Sequence, residues 1–85
     1  MRKTVLLADA NEEFRKLLRE TIGETNEFTV VADVGTGTEA LKLMEQYHPD
    51  LLLMDVVLPE VDGLSILKQS RAKEDGPKVI LISAQ

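Results

Sequence analysis

Leu51-Leu52-Leu53-Met54-Asp55-Val56-Val57-Leu58-Pro59-Glu60-Val61-Asp62-Gly63 is the stretch that decides the fold. An apolar run without alternation ends on one carboxylate, and a turn with Pro and Gly follows. Such a run suits a strand covered on both faces, as in a parallel sheet. That strand carries Asp55 from a buried interior to the carboxyl edge of the sheet, where ligands bind in open α/β folds.

The same form occurs upstream. Thr4-Val5-Leu6-Leu7-Ala8 is a short apolar run that ends on Asp9. Asn11 reads as a helix N-cap, with Glu12 and Glu13 in the first turn, where the dipole favours acids. Phe14, Leu17, Leu18, Thr21 and Ile22 follow at i, i+3, i+4, i+7 and i+8, one face of an amphipathic helix, and Gly23 reads as its stop. Phe28–Val34 reads as a second, β-branched strand, and its Asp33 suits an edge position. Gly35-Thr36-Gly37 is a turn. Thr38 is the expected cap of a second helix with Ala40, Leu41, Met44 and Tyr47 as its buried stripe, and His48-Pro49-Asp50 breaks it.

Beyond the central strand, Asp62 is expected to cap a third helix from Gly63 to about Lys73, with Leu64, Ile66 and Leu67 facing inward. Glu74-Asp75-Gly76-Pro77 is a turn, and Val79-Ile80-Leu81-Ile82 is a fourth strand ending at Ser83. The β-α-β-α-β-α-β order calls for one parallel sheet with helices on both faces and right-handed crossovers. Residues 1–85 form a single domain.

Composition narrows the function. With 44% hydrophobic and 29% charged residues, the chain has the balance of a soluble globular domain. A net charge of -5 argues against these residues gripping nucleic acid, since phosphate contacts need Lys and Arg in excess. There is no cysteine and one histidine, which excludes a disulfide framework and a zinc site. Arg2-Lys3 is followed by an apolar run too short for a signal peptide, and no window reaches the length of a membrane span. A cytoplasmic location is the default.

Asp9, Asp55 and Ser83 each follow a strand, so a sheet that makes strands one, three and four neighbours brings them to one rim. Two adjacent carboxylates repel and call for a cation, and hard oxygen ligands suit Mg²⁺. A carboxylate can also act as a nucleophile toward phosphorus. A strand-end Asp is often a turn former or cap instead, and Asp62 is read as a cap. Gly35-Thr36-Gly37-Thr38-Glu39-Ala40 fits G-x-G-x-x-A, with Asp55 at the distance of a ribose-binding acid. That pattern is short and follows the second strand, not the first. Its glycines read more simply as a tight turn.

Val5-Leu6-Leu7-Ala8-Asp9, the Leu52–Gly63 block and Val79-Ile80-Leu81-Ile82-Ser83-Ala84 together resemble the receiver domain of two-component response regulators. Asp-x-x-apolar-Pro-x-x-Asp-Gly is the most specific of the three. The resemblance implies a flavodoxin-like, doubly wound parallel sheet of strand order 2-1-3-4. It implies that Asp55 is the phosphoacceptor and Ser83 the switch hydroxyl. It also implies that Asp9, Asp55 and the Val57 backbone carbonyl hold Mg²⁺. The donor would be a histidine kinase or a phosphotransfer protein, and the domain a phosphoacceptor with at most weak self-dephosphorylation, not an enzyme. Leu7–Phe14 further resembles the receiver of the sporulation master regulator type, which implies a transcriptional output with DNA met only through an output domain.

Two departures stand out. The family's acidic pair is usually two adjacent carboxylates, and here the second position is Ala10, so Mg²⁺ binding is expected to be weakened. Receivers also continue past the fourth strand with a helix, a lysine-bearing strand and a final helix. On that pattern the chain is a truncated receiver of impaired activity. Its exposed fourth strand would lead to self-association by edge pairing. Two rival readings accompany this one: a phosphorylation-independent pseudo-receiver that serves as a protein-interaction module, and a nucleotide- or flavin-binding module on a similar sheet.

Overall fold

The computed structural model describes residues 2–74 and 76–82. The elements are β1 (Lys3–Ala8), α1 (Glu12–Gly23), β2 (Phe28–Val34), α2 (Gly37–Tyr47), β3 (Leu51–Asp55), α3 (Gly63–Arg71) and β4 (Lys78–Ile82). All strand pairs are parallel, and the sheet order is β2-β1-β3-β4. This is the order expected from the resemblance, with β2 at one edge as the charge of Asp33 indicated.

The central strand β1 is buried on both faces from Val5 to Ala8. β3 is less evenly covered: Leu52 and Met54 are buried, whereas Leu51, Leu53 and Asp55 are half-buried. The main core lies on the face shared with α2 and α3. There Leu6, Ala8, Leu52 and Met54 from the sheet meet Ala40, Met44 and Ile66 from the helices. Each large side chain fully buried here contributes ~1.5–3 kcal/mol. α1 lies on the opposite face, packed against β2.

Helix starts follow side-chain chemistry. Asn11 Oδ1 accepts from the Phe14 N–H, and Asp62 Oδ1 accepts from the Ser65 N–H, as expected for two caps. The cap of α2 is Thr36, not Thr38: its Oγ1 accepts from the Glu39 N–H at 3.2 Å and donates to the Glu39 carboxylate at 3.3 Å. The Thr-x-x-Glu box outcompetes Thr38 because it satisfies an orphan amide and fixes the acid at once. α2 stops at His48, which takes the left-handed conformation with φ 46°.

Four inward-facing expectations fail. Leu17 and Thr21 on α1, Tyr47 on α2 and Leu64 on α3 are all exposed. Tyr47 is the last residue of α2, beyond the neighbouring layer. α3 also ends two residues before Lys73, which instead reaches across to Glu45 on α2 at 3.1 Å. Both partners are largely exposed, so that pair adds only ~0–1 kcal/mol.

The sheet is tied at its amino rim by Thr4 and Asp50. The Thr4 N–H and hydroxyl both donate to Asp50 Oδ2, at 2.8 and 3.2 Å, and the Asp50 N–H donates back to the Thr4 hydroxyl at 3.0 Å. At the other rim, α2 begins in direct contact with the loop after β3. The Gly37 N–H donates to the Pro59 carbonyl at 2.9 Å. A Cβ on Gly37 would lie 1.9 Å from the Val61 carbonyl oxygen, so only glycine permits this approach. Gly37→Ala should therefore destabilise the fold by about 1–3 kcal/mol, as other overpacking substitutions do. Urea unfolding followed by circular dichroism would show this as an earlier midpoint with an unchanged slope.

Candidate functional site

The carboxyl rim is built by register. Ala8 pairs with Met54 across the β1–β3 ladder, so the next residues, Asp9 and Asp55, follow side by side on neighbouring parallel strands. Strand spacing alone brings their backbones to within ~5 Å. Met54 pairs in turn with Leu81, and Asp55 with Ile82. Ser83 lies outside the described residues.

Asp9 is 5% exposed, among the few buried polar side chains of the described chain. Its Oδ1 accepts from the Asn11 N–H at 2.8 Å. Its Oδ2 is buried with no hydrogen-bond partner among the described residues. A buried carboxylate oxygen without a partner costs free energy unless a proton or a cation satisfies it. Asp55 is half-buried, and its Oδ1 accepts from the Val57 N–H at 3.1 Å. Its other oxygen has no hydrogen bond among the described residues.

The loop after Asp55 is held from several sides. Leu58 is buried and anchors it to the core. The Pro59 carbonyl accepts from both the Gly37 and Val61 N–H groups at 2.9 Å, and Glu60, between Pro59 and Val61, takes φ 72°. This is a three-residue γ-turn, a conformation that L-residues enter only at a cost. α3 then starts against the strand end: the Gly63 N–H donates to the Val56 carbonyl at 2.9 Å. A Cβ at Gly63 would lie 2.7 Å from the Asp55 carbonyl oxygen. The Pro-x-x-Asp-Gly spacing thus has a physical reading: Pro59 supplies the shared acceptor, Asp62 the cap, and Gly63 the room. Val57 is 76% exposed, which leaves its backbone as the part that belongs to the rim.

The expected ligands Asp9, Asp55 and Val57 therefore meet at one rim. Among the described residues no group of three or more His, Cys, Asp or Glu side chains forms a cluster fit for a metal. Two carboxylates are nonetheless the usual protein contribution to Mg²⁺, which keeps several waters. The orphaned Asp9 Oδ2 is the feature that fits a cation here. Ala10, at the second acidic position, is exposed and offers no side-chain oxygen.

The glycines of Gly35-Thr36-Gly37 do not form a phosphate cradle. The Gly37 amide is already given to Pro59, and the space beside Gly37 is filled by Val61.

The model of the response regulator receiver domain matches residues 5–85. The chain belongs to this family. It is 36% identical over 84 residues to the chemotaxis protein CheY of Halobacterium salinarum, covering 99% of this chain and 68% of that protein. It is 37% identical over 84 residues to CheY of Listeria monocytogenes, covering 99% and 69%. A solved DNA-binding response regulator of the LuxR family from Staphylococcus aureus superposes with a TM-score of 0.91 at 28% identity, covering 98% of this chain and 69% of that one. The receiver fold, with its sheet order and three helices, is common to this chain and its structural neighbours.

Sequence reading missed one part of the rim. Arg15 of α1 donates from Nη1 to the Asp9 backbone carbonyl and from Nε to Asp33 Oδ1 at 3.0 Å, and Arg19 also pairs with Asp33. Asp33 had a signal, a charge inside a β-branched strand, but that charge fits a solvated edge equally well.

The orphaned oxygen gives a measurable consequence. Added Mg²⁺ should raise the melting temperature of the wild type, by the linkage that stabilises any state binding a ligand. Asp9→Asn should abolish most of that rise. Differential scanning fluorimetry across a Mg²⁺ series checks both.

Proposed function

We propose that the chain is a phosphoryl-accepting switch of a two-component system, with Asp55 as acceptor and a histidine kinase or phosphotransfer protein as donor. The observation that supports this most is the pairing of a buried, partnerless Asp9 oxygen with an adjacent carboxylate that has one oxygen free. Family membership supports this class of reaction, and the rim geometry supports these roles.

In the reaction, the Val57 N–H holds Asp55 Oδ1 and leaves Oδ2 to attack phosphorus. The new P–O bond forms as the P–N bond to the donor imidazole breaks, and the imidazole leaves with a proton in place of the phosphoryl group. Asp9, Asp55 and the Val57 carbonyl are the groups that would hold Mg²⁺. When bound, Mg²⁺ supplies neutralisation of the charge gathered on the phosphoryl oxygens and the two carboxylates. Because Ala10 contributes no ligand, the chain holds the cation more weakly than a rim with two adjacent acids. Ser83 is the hydroxyl that would take a phosphoryl oxygen and pass the change to an output.

The output is transcriptional in this reading, with DNA met through an output region and not by these acidic residues. The DNA-binding relative supports it, and the Leu7–Phe14 stretch supports the narrower sporulation type. No helix among the described residues is long and apolar enough to cross a membrane. A cytoplasmic site of action accords with the cytoplasmic donors this chemistry needs.

Ala10 favours a second reading, a pseudo-receiver that binds partners without phosphorylation. Incubation with Mg²⁺ and acetyl phosphate separates the two. Intact mass should show one added phosphoryl group, lost on mild base treatment and absent in Asp55→Asn. An unmodified wild type would favour the pseudo-receiver.

β4 is the outer strand of the described sheet, and Ile80 and Leu81 on it are exposed. An apolar strand edge is a template for another strand. We infer that the 85-residue chain self-associates through this edge. Light scattering at micromolar concentration should give a mass above the monomer, and a sharp monomer would overturn the inference.

A further inference from the structure

The Arg15 side chain joins three elements at the rim. It rises from the first turns of α1, donates to the backbone carbonyl of Asp9 at the end of β1, and pairs with Asp33 on β2. Its side chain is 15% exposed and that of Asp33 is 25% exposed, so the pair is shielded from water far more than Lys73–Glu45. Neither the phosphoryl chemistry nor the caps use it.

The sheet is irregular in a way that makes this contact possible. Val5 pairs with Val30, but Leu6 pairs with Ala32, so Val31 is an extra residue in β2. A bulge of this kind is rare in parallel pairs. Side chains alternate along a strand, so one inserted residue moves all that follow to the opposite face. Ala32 and Val34 thereby join the α2–α3 core, opposite Leu6 and Ala8. Asp33 falls opposite Leu7, on the face that α1 covers. Without the bulge Asp33 would point into the apolar core, away from Arg15.

We infer that Arg15, anchored by Asp33 across the β2 bulge, is a positioning residue that fixes Asp9 for cation binding. The inference rests on the metal-assisted reading above and goes beyond it. The mechanism is indirect. Asp9 Oδ2 is buried without a partner among the described residues, while its Oδ1 takes the Asn11 N–H and its main-chain carbonyl takes the Arg15 guanidinium. With only two carboxylates at this rim, affinity depends on how firmly each is held. Outer partners of metal ligands commonly change affinity by about 10–100-fold when removed.

Arg15 spans its two acceptors with two nitrogens of one planar group, which the single nitrogen of lysine cannot do. Arg15→Lys keeps the charge and breaks the bridge, whereas Arg15→Gln removes both. If Arg15 positions Asp9, both variants weaken Mn²⁺ binding in isothermal titration calorimetry, by about tenfold. Both also shift the Asn11 amide resonance in metal-free protein, because that N–H donates to Asp9 Oδ1. If Arg15 acts only through its charge, Arg15→Lys matches the wild type and Arg15→Gln binds the cation more tightly. Thr4→Ala, which breaks the clamp at the far rim, controls for lost stability: it should lower the melting temperature and leave Mn²⁺ affinity unchanged. An Arg15→Lys protein with wild-type affinity and an unmoved Asn11 amide overturns the inference. A wild type that binds no Mn²⁺ overturns the metal reading instead, and the Asn11 shift still decides whether Arg15 places Asp9.

Discussion

Two like charges stand side by side at the end of a parallel ladder, and the rest of the rim is arranged around that fact. The ladder cannot avoid it: once Ala8 pairs with Met54, the following residues on β1 and β3 are neighbours. One of them, Asp9, is buried with an oxygen that no described group satisfies. Separately, each Asp is a turn residue. Together they form a locus whose chemistry suits a divalent cation.

The scaffold spends much of its polar bonding on keeping this locus in place. The Pro59 carbonyl collects two N–H groups, Gly63 lets α3 press on the strand end, and Arg15 grips the Asp9 main chain. At the opposite rim, Thr4 and Asp50 lock the same two strands, β1 and β3, with three hydrogen bonds. Such bonds contribute about 0.5–1.5 kcal/mol each. Each is worth less than one buried leucine. The alignment of Asp9 with Asp55 itself follows from the β1–β3 ladder, in which Ala8 pairs with Met54.

Much of this was legible in the sequence. The apolar runs at Val5–Ala8 and Leu51–Met54 gave the strands, and the caps at Asn11 and Asp62 gave two helix starts. The resemblance supplied the sheet order and paired Asp9 with Asp55. What could not be read has a common physical origin. Sequence pattern points to Thr38 as the cap, and Thr36 takes the role because the winner between nearby hydroxyls depends on where Gly37 can approach Val61. Leu64 and Tyr47 are exposed although periodicity points them inward, because helical periodicity gives a face but not how far the neighbouring layer extends. Asp33 marks β2 as an edge strand, but its pairing with Arg15 depends on the bulge at Val31, which one sequence does not show. Each miss turns on a contact between distant segments, which local pattern does not encode.

The central claim is that Asp9 and Asp55 form one cation-binding rim. Paramagnetic broadening of amide resonances by Mn²⁺ tests it most directly. The account predicts that signals of Asp9, Asp55 and Val57 disappear first, at metal concentrations that leave Thr4, Asp50 and Leu51 at the opposite rim sharp. Broadening that is uniform, or that begins at the Thr4–Asp50 end, would contradict it.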